Sequence, residues 1–231
     1  MLLTIDVGNT NTVLGLYDKD KLVNNWRTKT DANSTADQLI LTFKGLLKDQ
    51  PAVTGISLCS TVPAVLREMR WMLERYFPKV KTVIIEPGTK TGVPINTDNP
   101  KEVGADRIAN SLAVFSRHGG PSVVVDFGTS TNFDVVSDKG EFLGGSLAPG
   151  IEISLDALAN RAAQLRKVEF VKPRSVVGKN TVEALQSGAL YGFAGQVDGI
   201  IERIIDEIGP LKAVVATGGL APLVVEESVT A

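Results

Sequence analysis

The sequence predicts an α/β fold of two similar domains in tandem, each of βββαβαβ type. Three observations predict it. An apolar run from Met1 to Ile5 leads into Asp6-Val7-Gly8-Asn9-Thr10-Asn11-Thr12, and the alternating Val13–Tyr17 follows, so a small-residue turn joins two antiparallel strands. Val125-Asp126-Phe127-Gly128-Thr129-Ser130-Thr131-Asn132 repeats that pattern at an offset of 120 residues, matching Asp6 with Asp126, Gly8 with Gly128, Thr10 with Ser130 and Asp18-Lys19 with Asp138-Lys139. Strand and helix periodicities then alternate after the first hairpin. The domains expected are 1–117 and 118–231, one hairpin in each.

Taken in order, Lys21–Lys29 with Trp26 reads as a third strand. Ser34 or Thr35 caps a helix with Ala36, Leu39, Ile40, Phe43, Leu46 and Leu47 at helical spacing. Val53–Ser60 is a strand, and Pro63 opens a helix through Val65, Leu66, Met69, Met72, Leu73 and Phe77. Thr82–Ile85 closes the first domain's strands. Residues 86–103 form a long Gly/Pro/Asn loop, a length that is usually functional or disordered. It runs into Gly104-Ala105-Asp106-Arg107, ahead of a short helix over Ile108–Phe115. In the second half, Ser122–Val136 is the repeat hairpin and Gly140–Leu147 continues its sheet. A helix follows Pro149-Gly150 through Ile153, Leu155, Leu158 and Leu165. Thr181 begins a helix studded with Gly188, Ala189, Gly192, Ala194 and Gly195 that runs to Ile208, suited to close packing, a dimer interface included. Ala213–Ala216 is the last strand, ending in Thr217-Gly218-Gly219. One more helix would complete the repeat, so a shortened C-terminus is expected.

Composition bounds the function. The chain has 231 residues, 43% apolar, enough for a sizeable core, and a net charge of −2 spread along it, with no basic face for nucleic acid. One cysteine, Cys59, excludes an internal disulfide, and one histidine, His118, disfavours zinc or a Ser-His triad. Cys59 lies in an apolar strand and reads as a buried structural thiol, and His118 as a solvated loop residue. No apolar stretch approaches a membrane span, and Met1 leads straight into an expected core strand, so no signal peptide is expected. A cytoplasmic protein is expected.

Chemistry concentrates in the turns. Gly8 lets backbone N–H groups approach an anion, Thr10, Asn11 and Thr12 add neutral donors, and Asp6 can hold a hydrated divalent cation; an ordinary hairpin turn is the alternative. Two such aspartate hairpins facing one cleft form a nucleoside-triphosphate clamp. Asp106 and Arg107 are either an acid–base pair for a small molecule or a helix-start acid with a solvated neighbour. Thr217-Gly218-Gly219 is either a flat seat for an adenine ring or a simple turn. Gly178-Lys179-Asn180-Thr181 is not a Walker A loop, since Pro173 stands where its first glycine belongs and no buried strand precedes it.

The two hairpins resemble those of the acetate and sugar kinase, chaperone ATPase and actin superfamily, whose domains are RNase-H-like. With Asp6–Thr12, Gly104–Arg107, Asp126–Thr129 and Thr217–Gly219 in this order, together with Asp98–Glu102, Gly144-Gly145 and Gly178–Thr181, the whole chain resembles the type III pantothenate kinases. That resemblance implies ATP-dependent phosphorylation of pantothenate, the first step of coenzyme A biosynthesis. It implies that Asp6, Val7, Gly8, Asn9, Thr10, Asn11, Thr12 and Val13 bind the ATP phosphates with Mg2+, and that Thr129 contacts ATP. Asp106 would be the proton acceptor, and Gly104, Ala105, Asp106 and Arg107 would bind pantothenate. Asp126 would hold a monovalent cation, K+ or NH4+, and Thr181 would reach substrate across a homodimer. The alternatives are a catalytically silent nucleotide-binding regulator and a sugar or acetate kinase on the same fold. Every catalytic position is filled by a competent residue, which disfavours the first, and the Gly104–Arg107 motif and short length disfavour the second.

Overall fold

Period-two alternation at the N-terminus buries Leu3, Ile5 and Val7 on one face of β1 (Leu2–Val7), while Asp6 faces the other way. A computed structural model describes residues 1–86, 88–161 and 167–230. β2 (Asn11–Asp18) and β3 (Lys21–Lys29) pair antiparallel in sequence with β1. β4 (Gly55–Ser60) and β5 (Lys81–Ile85) add in parallel on its other side, giving the order β3-β2-β1-β4-β5. The parallel additions need crossovers, which α1 (Ala36–Leu47) and α2 (Pro63–Tyr76) supply. Thr35 caps α1 in a capping box with Gln38, and Pro63 occupies the start of α2, where its missing N–H costs nothing. Ile40 and Phe43 of α1 and Val65, Met69, Met72 and Leu73 of α2 meet the β1 and β2 side chains in one core. Full burial of each such side chain contributes about 1.5–3 kcal/mol.

The second sheet repeats the plan. β6 (Ser122–Phe127), β7 (Ser130–Val136) and β8 (Phe142–Pro149) pair antiparallel, and β9 (Ala213–Thr217) lies parallel to β6, in the order β8-β7-β6-β9. The helices predicted after Pro149 and at Thr181 are present. Counting α3 (Ala105–His118) first, they are α4 (Ile151–Arg161) and α5 (Thr181–Ile208), followed after β9 by the short α6 (Ala221–Val225). Leu165, Pro87 and Ala231 lie outside the described residues. By its internal packing the chain divides into two units, Met1–Thr91 with Asn99–Ala109, and Gly92–Asp98 with Asn110–Ala231.

Register corrects the repeat. β1 pairs with β2 as Val7↔Thr12, whereas β6 pairs with β7 as Phe127↔Thr131. The second turn is therefore one residue shorter, and the offset falls from 120 to 119 beyond it. Asn11, not Thr10, is the counterpart of Ser130: Gly8 N–H donates to Asn11 O and Gly128 N–H to Ser130 O, each at 3.0 Å. The Asp18-Lys19 match to Asp138-Lys139 slips by one for the same reason. A bulge confirms the corrected alignment, since the ladder shifts between Leu16 and Tyr17 and again between Val135 and Val136.

Two further expectations change. α3 begins at Ala105 rather than Ile108 and ends at His118, which is exposed at the helix terminus instead of in a loop. Apolar periodicity starts only at Ile108, while the Asp106-Arg107 turn is held by the dipole preference of an acid in the first turn. The loop of residues 86–103 is not structureless. Ile95 bridges Phe142, with Phe142 N–H donating to Pro94 O at 2.8 Å and Asn96 N–H to Phe142 O at 2.9 Å, and Pro100–Glu102 forms a 3₁₀ turn.

Candidate active site

The first unit carries one cluster of chemistry-bearing residues. The β1–β2 turn is braced from both sides. Thr30 N–H donates to Thr10 O at 3.0 Å, the Thr12 and Thr30 hydroxyls meet at 2.9 Å, and Thr61 donates to Val7 O through its N–H at 3.0 Å and its hydroxyl at 3.3 Å. Asn9, Thr10 and Val13 are exposed, while Thr12 and Val7 are buried and anchor the turn.

Asp6 is open to solvent at its edge but crowded by protein on most sides. That desolvation raises its carboxyl pKa above the usual aspartate range, the Cys59 hydrogen bond pulls it down, and the negative charge of Asp106 adds to the rise. The charge of Asp106 thus reaches Asp6 within one unit. Cys59 Sγ donates to Asp6 Oδ1 at 3.3 Å. Burial and the charge of Asp6 push the thiol far above its ordinary pKa, so it remains a protonated donor and a poor nucleophile.

Asp106 sits half-buried in the first turn of α3, and its Oδ1 accepts from Arg107 N–H at 2.9 Å. The carboxylate folds over Gly104. A Cβ there would lie 2.4 Å from Asp106 Oδ1, so the glycine is required by the position of the acid. Ala105 is buried and seats the helix start, and Arg107 is half-buried beside it.

In the second unit, Asp126 stands near the end of β6 and accepts at Oδ2 from Asn110 Nδ2 at 3.4 Å. Asn110 lies one helical turn beyond Asp106 on α3, a relation that sequence spacing carries but sequence reasoning overlooked. Thr129 is exposed at the hairpin tip, its carbonyl accepting from Gly150 N–H at 3.0 Å. Gly218 has φ +99°, and a Cβ there would meet Phe127 O at 2.4 Å. The Thr217-Gly218-Gly219 glycine is therefore demanded by backbone packing at the strand end.

Thr181 is exposed at the start of α5, held by the cap and not by either hairpin. Asn180 Oδ1 accepts from Glu183 N–H at 2.9 Å, Glu183 Oε2 accepts from Lys179 N–H at 3.1 Å, and Arg174 pairs with Glu183. A helix cap, preceded by loop, explains Gly178–Thr181 without a Walker A motif. The donors around the first turn are one carboxylate and several neutral oxygens, the hard set that suits Mg2+ with its waters retained. No helix among the described residues is long and apolar enough to cross a membrane.

Comparison with known proteins agrees along the chain. The family model for type III pantothenate kinase matches residues 2–203. A type III pantothenate kinase of Salinispora arenicola is 65% identical over 228 residues, covering 98% of this chain and 90% of that protein. Among solved structures, the activator of the 2-hydroxyisocaproyl-CoA dehydratase from Clostridium difficile, with bound ADPNP, superposes with a TM-score of 0.53 at 11% identity, covering 98% of this chain and 83% of that one. A ROK family protein from Streptococcus pneumoniae in complex with sucrose gives 0.53 at 14%, covering 98% and 83%. These two likenesses establish the actin-like ATPase fold.

Proposed function

The chain belongs to the type III pantothenate kinase family, an ATP-dependent phosphotransferase acting on pantothenate, and on that premise we propose how its residues divide the work. The observation that carries the reading is that Asp6 and Asp106 lie in one unit, with Asp106 half-buried in the first turn of α3 and its negative charge reaching Asp6. Phosphoryl transfer is mostly positioning and neutralisation of charge. Asp6 through Val13 hold the ATP phosphates, with the exposed amides and hydroxyls of Asn9 and Thr10 facing the ligand. Mg2+, when bound beside Asp6, neutralises phosphate charge. Asp106 accepts the proton of the pantothenate hydroxyl as its oxygen bonds to the transferring phosphorus and the bond to ADP breaks. Gly104, Ala105 and Arg107 complete the substrate seat, with Arg107 placed for the carboxylate or hydroxyls of pantothenate.

Asp126, oriented by Asn110, is the ligand for K+ or NH4+, and Thr129 contacts ATP. The functional division follows the repeat, 1–117 and 118–231, with one aspartate hairpin in each. Thr181 serves a neighbouring subunit of a homodimer. Gly188, Gly192 and Gly195 support that arrangement, because a Cβ at any of them would meet nothing within 4 Å. The enzyme works in the cytoplasm.

The test is a coupled assay with pantothenate, a hexose and acetate as acceptors, run on wild type and Asp106→Asn. Turnover is expected with pantothenate alone. The variant should lose roughly 10²–10⁴-fold in kcat, toward the lower half because a loose transition state needs little early proton removal. Nucleotide binding and Tm should hold. Near-normal turnover in the variant would remove Asp106 from its role.

A further inference from the structure

Asp6 has a neighbour that its motif does not contain. Parallel pairing of β1 with β4 sets Cys59 directly beside it, on the face opposite Leu58 and Ile56, which fill the core. Packing alone would be served there by any small apolar side chain. The residue present instead carries a hydrogen, given to Asp6 Oδ1 at 3.3 Å, and it is 8% exposed, so water does not compete freely for that bond. A strand carboxylate turns about two side-chain torsions, and a hydrogen bond to one oxygen fixes the plane of both. The second unit has the same arrangement of positions. Parallel pairing of β6 with β9 places Thr217 opposite Asp126, so each repeat sets a small S–H or O–H residue beside its aspartate.

We propose that Cys59 is the positioning residue of Asp6, its S–H orienting the carboxylate that gathers the metal and phosphates. The proposal rests on the reading of Asp6 given above. Partners that orient a metal-associated carboxylate typically carry 10–100-fold in metal affinity or activity, and a thiol is a weak donor, which sets the expectation at about tenfold.

Three variants of the full chain decide it: Cys59→Ser keeps a donor, Cys59→Val keeps an apolar filling without one, and Asp6→Asn is the control. The measurements are Mn2+ affinity in the presence of ADP by electron paramagnetic resonance, kcat and KM for MgATP, and Tm. Cys59→Val should bind Mn2+ about tenfold more weakly and raise KM more than it lowers kcat, with Tm near wild type, while Cys59→Ser stays within about threefold on every reading. Wild-type Mn2+ affinity in Cys59→Val, or equal impairment of Ser and Val, would overturn the proposal. Should Cys59→Val not fold, Cys59→Ala carries the same comparison. Asp6→Asn separates the two levels: full Mn2+ affinity there would refute the reading of Asp6 itself. Lost affinity there with an intact Cys59→Val confines the failure to the thiol.

Discussion

Glycine at position 104 is dictated by an oxygen atom two residues away. Asp106 Oδ1 occupies the place where a Cβ would go, and that oxygen is the end of a side chain that can swing aside. Gly104→Ala should therefore fold with a Tm close to wild type while the carboxylate is displaced. A shift of about 1 Å at a reacting group can cost as much as 10²-fold, so kcat should fall by one to two orders of magnitude, read by steady-state kinetics beside a melting curve. Asp6 makes the complementary case. Its pKa is raised by desolvation first, so folding disfavours its charged form. This strain is absent below the unfolded-state value near 3.8 and complete above the raised folded value. Asp6→Asn should accordingly melt above wild type at pH 7, with the gap narrowing toward pH 4, while activity is lost. A melting series from pH 4 to 7 on both proteins checks the sign.

Helix caps and strand ladders decide what can be read from residues alone. β1 to β3, α1, α2 and β4 follow from alternation, spacing and the Thr35 and Pro63 signals, because each buries one face and advertises it. The first turn of α3 was hidden, since Asp106 and Arg107 carry no apolar mark and their reason is the helix dipole. The Phe142 bridge to Ile95 was hidden because strand pairing is non-local. Of the candidate site, Asp6, Gly8 and Asp106 are legible as motif residues, whereas Cys59 and Asn110 are visible only once register and helix phase set them beside Asp6 and Asp126. At the start of α5, Asn180 both caps the helix and fixes the backbone under Thr181. Asn180→Ala should cost about 1 kcal/mol of stability and raise KM for pantothenate more than KM for ATP. Denaturant unfolding and acceptor-dependent kinetics measure the two effects separately.

At the scale of the whole molecule stand the proposed requirement for K+ or NH4+ and the proposed homodimer. Replacing K+ with Na+ should lower turnover several-fold in wild type and change little in Asp126→Asn, where the ligand is already compromised. For the dimer, Gly192 is an exposed helix position with open space around it. Gly192→Leu should stabilise the isolated subunit by roughly 1 kcal/mol through helix propensity alone. The same side chain would wedge a close helix contact apart. Sedimentation velocity should show a monomer for the variant at concentrations where wild type is dimeric; an unchanged dimer would move the interface elsewhere.

The unequal turns, Gly8–Thr10 in one hairpin and Gly128-Thr129 in the other, bear on how such a doubled fold can specialise. A single-residue slip inside a strand would turn every inward side chain outward. Added length is harmless only at the tip, where Thr12 and Thr131 resume the same inward parity after loops of different size. The strands of the two copies are locked to a common blueprint while their tips remain free to drift. Ligand preference can therefore change in one half without disturbing either core, and duplicated hairpins need not remain duplicated in purpose.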